Sequence, residues 1–361
     1  LKKKVKEHQN VNDFGAKLIS KNFLVFLFFF ISGICFFKII KKIVSNVTIA
    51  YFSTFLYLLY PYLFGHSLFS PKDIPFLAVW LICTYISFTI FEKLFKNKDL
   101  SLKKILFFGL FTSYLLSIRV TGVLIFFQYL ITLLIFINVT DFKIIDFTKK
   151  FYKKILYFFS FLFVGIIILN PVYWSNPLSF YHAIKWMSHY YHDICTITLG
   201  TCMRAKDLPS TYMLIWLSVK LPIIIMLGII LIPFTERKIF KDKKKTIIFG
   251  SLLGTIIFIP LLLIFINVNL YDEIRHVMFL IPLIFILGLS SLFYFSKKIF
   301  YVLSFITIII FISENIRIHP YQYVWFNLPS RALDLTKKFE LEYMGISGKE
   351  ISKQILSSNE D

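Results

Sequence analysis

The residues in this chain that could do chemistry are few, and they sit in short polar islands between apolar runs. "YDEIRH" (271–276) gathers Asp272, Glu273, Arg275 and His276 within six positions. "SPKD" (70–73) sets Lys72 beside Asp73, and "SIRVTG" (117–122) isolates Arg119. A carboxylate in such an island can orient or deprotonate a hydroxyl. A planar guanidinium can clasp a phosphate through two parallel hydrogen bonds. Asn, Ser and Gly would make a solvated loop polar more cheaply, so ionisable groups at the lip of an apolar segment point to a charged ligand. Each island also has a plainer account. "SPKD" is a good helix start, with Ser70 as cap, Pro71 in the first helical position and Asp73 at the positive helix end. Arg119 can snorkel to a membrane surface from its tight connection. Asp272 and Glu273 can orient Arg275 or cap the next span.

The elements that must position these groups are long and apolar. Of 361 residues, 57% are hydrophobic and 19% aromatic, and the mean hydropathy is +0.73. Apolar runs long enough to cross a bilayer recur along the chain. They predict ten spans, at about 23–40, 47–64, 74–91, 105–118, 121–138, 155–170, 211–234, 246–266, 277–295 and 299–313. The fold class expected is therefore an all-α polytopic membrane protein. Three regions follow: 1–22 as the remainder of a first outer loop, 23–315 as the transmembrane domain with an outer loop over 171–210, and 316–361 as a short C-terminal outer tail. A formal net charge of +20 could indicate nucleic acid, but alternate connections divide the basic residues unevenly. One set carries plain lysine runs such as Lys93, Lys96, Lys98, Lys103 and Lys104; the other holds only Lys72, Arg119, Lys185, Arg204, Lys206 and Arg275. That is the positive-inside pattern, with no nucleic acid required. It puts both termini and the chemistry-bearing islands outside.

The long outer loop offers three further features. His182, His189, His192 and Asp193 resemble a metal cluster, yet no pair has zinc-motif spacing, and an amphipathic helix lying on the membrane surface explains the stretch as well. Cys195 and Cys202, in "CTITLGTC", could close a disulfide in an oxidising compartment. Cys35 and Cys83 fall within spans and read as small apolar packing residues. The two "NVT" triplets, at 46–48 and 138–140, fall on the lysine-rich side and read as chance matches to a glycan acceptor.

Taken in order, the outer stretches resemble the GT-C membrane glycosyltransferases of the family 39 type, which include protein O-mannosyltransferases, lipid A aminoarabinose transferases and Rgt-like bacterial enzymes. The matching pieces are "YPYLFGHSLFSPKDIPF" (60–76), "SIRVTG" (117–122), "NPVYWSNPLSFYHAI" (170–184), "LPSTYMLIWLSVKLPI" (208–223), "YDEIRHVMFLIPLI" (271–284), "HPYQYVWFN" (319–327) and "FELEYMGISGKE" (339–350). The resemblance implies a polyprenyl-phosphate-linked sugar donor, a lipid, glycan or protein acceptor, and a multi-pass enzyme in the cytoplasmic (inner) membrane of a bacterium with its active face outward. It makes Asp73 a catalytic carboxylate, and Arg275 and Arg119 ligands of the donor phosphate with His276 or Lys72 assisting. His66, Glu273, His319 and Tyr321 are further outer-face candidates. No cofactor is implied with certainty, and a divalent metal requirement stays open.

Two departures stand beside the resemblance. The family's principal Asp, often next to a Glu, lies in the first outer loop, and "KEHQNVNDFGAKLISKN" contains no such pair. The expectation is an N-terminally shortened chain, with Asp73 matching the second acidic position. In the tail, Glu342 and Met344 stand where relatives more often carry Asp and Trp. The alternatives are a transporter or flippase of a lipid-linked sugar, and a catalytically degenerate relative. A transporter should carry internal repeats and mid-membrane charge; no internal repeat is found, and the ionisable residues cluster at one face instead.

Overall fold

A computed structural model describes residues 13–96, 99–140, 142–176, 178–188 and 194–358. The chain is mostly helical. The helices are α1 (Asp13–Val44), α2 (Val47–Leu59), α3 (Pro61–Ser67), α4 (Asp73–Phe95), α5 (Leu102–Ile118), α6 (Ile125–Thr140) and α7 (Ile144–Leu169). They continue with α8 (Ser179–Ser188), α9 (Tyr212–Lys220), α10 (Ile223–Ile230), α11 (Ile232–Ile239), α12 (Lys243–Phe265), α13 (Ile281–Phe295), α14 (Lys297–Arg317) and α15 (Gly348–Ser358). Among the described residues, seven helical segments are long and apolar enough to cross a membrane, or eight if the bent pair α2–α3 counts as one span.

That count differs from the ten expected spans, for local reasons. Pro61 opens α3 and, lacking an amide hydrogen, breaks the 47–64 run with a 62° bend. Pro222 and Pro233 divide the 211–234 run into α9, α10 and α11. Helix α5 has 17 residues, short for a bilayer core. In the other direction, α1 begins at Asp13, ten residues before the expected span, so residues 13–22 are helical. The helix starts obey ordinary capping chemistry. The Asn46 side chain accepts from Ile49 N, Asp242 accepts from the amides of Lys244 and Lys245, and Ser296 accepts from Ile299 N. Asn46 thus acts in this structure as a helix cap.

The described residues are mostly helical, as the expected all-α polytopic class requires, with one small addition. The loop over 171–210 carries a two-stranded antiparallel hairpin, β1 (Cys195–Thr198) and β2 (Thr201–Arg204), besides the loop helix α8. Leu199 and Gly200 turn it with φ of +53° and +82°, the left-handed pair that a tight hairpin requires. Thr198 forms a bridge with Phe339. Gly200 N donates to Lys338 O at 2.9 Å, and Glu340 N donates to Ile197 O at 2.8 Å. The C-terminal tail therefore binds the hairpin as a third, short strand-like edge.

Helix α13 is the axis of the bundle, with Ile281 to Phe293 all buried. It meets α10 backbone to backbone: a Cβ on Gly228 would lie 2.1 Å from Gly288 O. Small residues allow this approach where no hydrophobic effect drives helices together. Polar side chains tie other spans. Trp80 Nε1 donates to Gln128 Oε1 at 2.8 Å, Gln128 Nε2 donates to Thr84 Oγ1 at 2.9 Å, and Thr132 bonds Ser251. These contacts join α4, α6 and α12.

Gly228→Ala forces the α10–α13 contact apart, and we expect it to cost about 1–3 kcal/mol. The readout is a lower midpoint of thermal unfolding in detergent. Gly348→Ala, whose Cβ would meet nothing within 4 Å, should leave the midpoint in place. Equal behaviour of the two variants would refute the close packing.

Candidate functional site

The charged islands converge at the end of the bundle that also carries the hairpin and the tail. Asp73 opens α4 and is buried. Ser70 does not cap this helix as the sequence suggested, because the helix begins at Asp73 itself; Ser70 Oγ instead donates to Asp73 Oδ2 at 3.0 Å. Arg119, held by the extended break between α5 and the 3-10 turn Val120–Leu124, donates to Asp73 Oδ1. Arg275 Nε stands 3.7 Å from Asp73 Oδ2, and Arg275 Nη2 pairs with Asp272 Oδ2 at 3.0 Å. Arg119 Nη2 lies 3.0 Å from His276 Nδ1. A guanidinium can only donate, so Nδ1 accepts and the ring proton sits on Nε2.

Three sequence islands thus form one site: a carboxylate between two guanidiniums, with an imidazole beside them. Burial raises the Asp272 carboxyl, with Arg275 opposing. It also lowers the Arg119 guanidinium, with Asp73 opposing. Among the described residues, two buried donors in this cluster have no hydrogen-bond partner, Arg275 Nε and His276 Nε2. Buried donors are nearly always satisfied, so such a pair marks a place where a ligand's acceptor atoms would fit.

A second buried cluster adjoins the first. Lys220, at the end of α9, is wholly buried and pairs with Glu273 Oε1 at 2.8 Å. Its Nζ also faces the rings of Phe326 at 3.9 Å and Tyr62 at 5.0 Å. Tyr343 Oη lies 3.5 Å from Glu273 Oε2 and 3.1 Å from His66 Nε2. Burial pushes the Glu273 carboxyl up to about 7, with the Lys220 ammonium opposing. Tyr343 is likewise raised well above a phenol's usual range, by burial and then by Glu273.

The loop 271–274 joins the two clusters. Asp272 and Glu273 have φ of +53° and +63°, consecutive left-handed residues without a glycine. Such backbone costs of order 1–3 kcal/mol per residue. It lets neighbouring carboxylates serve different cations, Asp272 for Arg275 and Glu273 for Lys220. Asp272 N donates to Thr196 Oγ1 on the hairpin at 3.1 Å. The tail completes the wall. Glu342 accepts from Tyr323 Oη and from the amides of Met344, Gly345 and Ser347, and this turn sets Met344 Sδ 3.6 Å from Arg275 Nη1.

Asp73, Arg119, Arg275 and His276 come together, and Glu273 and His66 belong to the adjoining cluster. Lys72 is exposed beside Asp73. His319 Nδ1 lies 2.9 Å from Gln322 Nε2, and Tyr321 Oη donates to Glu350 at 2.5 Å, both within the tail. Cys195 and Cys202 form a disulfide across the hairpin. His182 is exposed on α8; His189, His192 and Asp193 lie outside the described residues. Among the described residues, no three His, Cys, Asp or Glu side chains gather as a metal site would require.

Sequence reasoning missed Lys220, Tyr62, Tyr343 and the organising role of Glu342. A signal existed for Lys220: one lysine inside "WLSVKLPIII" is an ionisable group in an apolar run, costly unless it has a partner. Tyr343 and Tyr62 had none, since aromatic residues abound in this chain.

Measured above the folded titration of about 7, where Glu273 is ionised, Glu273→Gln leaves the Lys220 ammonium buried without its carboxylate, and we expect a loss of up to about 3–5 kcal/mol. Adding Lys220→Met should recover most of it, measured as thermal midpoints. The pH dependence has a defined sign. The folded carboxyl titrates near 7 against an ordinary value of 4.5, so its contribution is whole below the ordinary value and is lost as pH rises through the folded one. Wild-type stability should fall across that window, with a flatter slope in Glu273→Gln. An unchanged slope would remove Glu273 as the titrating group.

Comparison of the chain with protein-family models, with curated proteins and with solved structures finds no match.

Proposed function

We propose that this chain is a membrane glycosyltransferase. It takes a sugar from a polyprenyl-phosphate-linked donor and passes it to a lipid, glycan or protein acceptor at the outer face of a bacterial cytoplasmic membrane. The observation that carries this reading is the cluster of Asp73, Arg119, Arg275 and His276, with unpartnered donors at Arg275 Nε and His276 Nε2. Sugar transfer from a polyprenyl phosphate needs cations where negative charge develops on the departing phosphate. It also needs a carboxylate near the attacking hydroxyl. A lipid-linked donor further needs the site at the end of apolar spans, where Asp73 opens α4 and Arg275 precedes α13.

In this reading Arg275 and His276 receive the phosphate, and Arg119 holds Asp73. Both Asp73 oxygens are already engaged, by Arg119 on one side and Ser70 on the other. That arrangement favours orientation of the acceptor over proton abstraction. The Cys195–Cys202 disulfide supports placing this end in an oxidising compartment. The count of ten spans, with α5 and the broken run α9–α11 as crossings, belongs to the same proposal.

The test uses purified chain in liposomes with a panel of polyprenyl-phosphate hexoses and pentoses and a membrane extract as acceptor. Release of free polyprenyl phosphate is followed by mass spectrometry. Wild type should release it, and Arg275→Ala and Asp73→Asn should each slow release by roughly a hundredfold at unchanged insertion. Movement of intact lipid-linked sugar between leaflets without release would instead establish a transporter. No release from any donor, with variants indistinguishable from wild type, would establish a degenerate relative.

A further inference from the structure

The opposite end of the bundle, where the lysine runs collect, holds a separate cavity of about 160 Å³. It lies where α1 and α4 end and α12 begins, and its lining includes Lys41, Lys42, Lys244, Glu92, Phe95 and Ile247. Three ammoniums and one carboxylate leave a net charge of plus two on the lining. The carboxylate is already engaged: Lys42 pairs with Glu92, and Lys96 approaches it at 3.3 Å. Lys41 and Lys244 meet no carboxylate among the described residues. Lys41 Nζ faces the Phe37 ring at 5.9 Å, and Lys244 Nζ faces the Phe95 ring at 5.6 Å.

Lysines scattered at a membrane surface point into water and act as anchors. These lysines differ because two helices bring them to one concavity that a third helps to wall, where their charges repel unless an anion enters. The partner's chemistry follows from the rest of the wall, which is apolar at Phe88, Phe95, Ile247 and Ile248. A free phosphate has charged oxygens on every side and would gain nothing from that wall. A phosphodiester with a glyceryl chain has one charged side and one apolar side. We propose that this cavity binds the phosphate of an anionic phospholipid headgroup. The lipid's acyl chains would then lie along the apolar flanks of the helices whose ends form the cavity, and basic pockets between such helix ends suit anionic headgroups. The proposal does not depend on the sugar-transfer reading, which concerns the other end of the molecule.

The test is lipid retention by the full chain, purified in neutral detergent and examined by native mass spectrometry with added phosphatidylglycerol or phosphatidylcholine. Phosphatidylglycerol should be retained in preference to phosphatidylcholine by roughly tenfold or more. Lys41→Ala/Lys244→Ala should abolish the preference, and Lys41→Arg/Lys244→Arg should keep it. Lys149→Ala/Lys298→Ala, which removes two exposed lysines at the same end, should leave it intact. Equal retention of the two lipids by wild type would overturn the proposal without any variant. Equal loss in both alanine pairs would assign the effect to diffuse surface charge. Full displacement of phosphatidylglycerol by millimolar inorganic phosphate would make this a free-phosphate site and sink the lipid assignment.

Discussion

A carboxylate removed from water must be met by a cation or take up a proton, and this chain faces that demand at two successive residues. Asp272 and Glu273 are both withdrawn from solvent, so each needs its own partner. An ordinary turn or helix start could not give neighbouring side chains cations on different elements. The left-handed backbone at both residues resolves the conflict, and its cost has to be offset by what surrounds it. Lys220 comes from α9, Thr196 from the hairpin, and Tyr343 from the tail. The hairpin, the broken run α9–α11 and the tail are therefore parts of one device, which fixes the loop 271–276 against α4.

Fixing that loop also fixes its last two residues. Arg275 and His276 follow the strained pair after Ile274 and open the turn into α13, which is buried along its length. Among the described residues, Arg275 Nε and His276 Nε2 have no hydrogen-bond partner. Donors already oriented and desolvated before a ligand arrives are what electrostatic catalysis requires, because no reorganisation is needed during the reaction.

The sequence disclosed this architecture unevenly. Apolar run length made the spans legible, since bilayer thickness imposes one length on every crossing. It could not show that Pro61 and Pro222 break two of them, because a proline inside an apolar run is compatible with either a kink or a break. The residues of the charged cluster were legible as types: an Asp, two Arg and a His at span ends are too costly to be incidental. Their mutual geometry was not, because Asp73, Arg119 and Arg275 are far apart in the chain and the helix packing alone sets their distances. Lys220 was readable in principle and was passed over, since its partner Glu273 had been counted with the loop. The hairpin was invisible for a different reason: "CTITLGTC" is short, and its strands gain stability from the tail at Phe339 and Glu340 as much as from their own pairing.

Charge balance then sets the order of events in the proposed reaction. Two guanidiniums, Arg119 and Arg275, are matched in the structure by two carboxylates, Asp73 and Asp272. An arriving phosphate brings negative charge into a cluster that is already neutral, so it must take donors from one of them. Arg275 Nε is the donor it can claim first, since that nitrogen stands 3.7 Å from Asp73 and makes no hydrogen bond. Under the proposal Arg275 offers that nitrogen to the phosphate from where it stands, and Asp73, still held by Arg119 and Ser70, keeps the geometry in which it orients the acceptor.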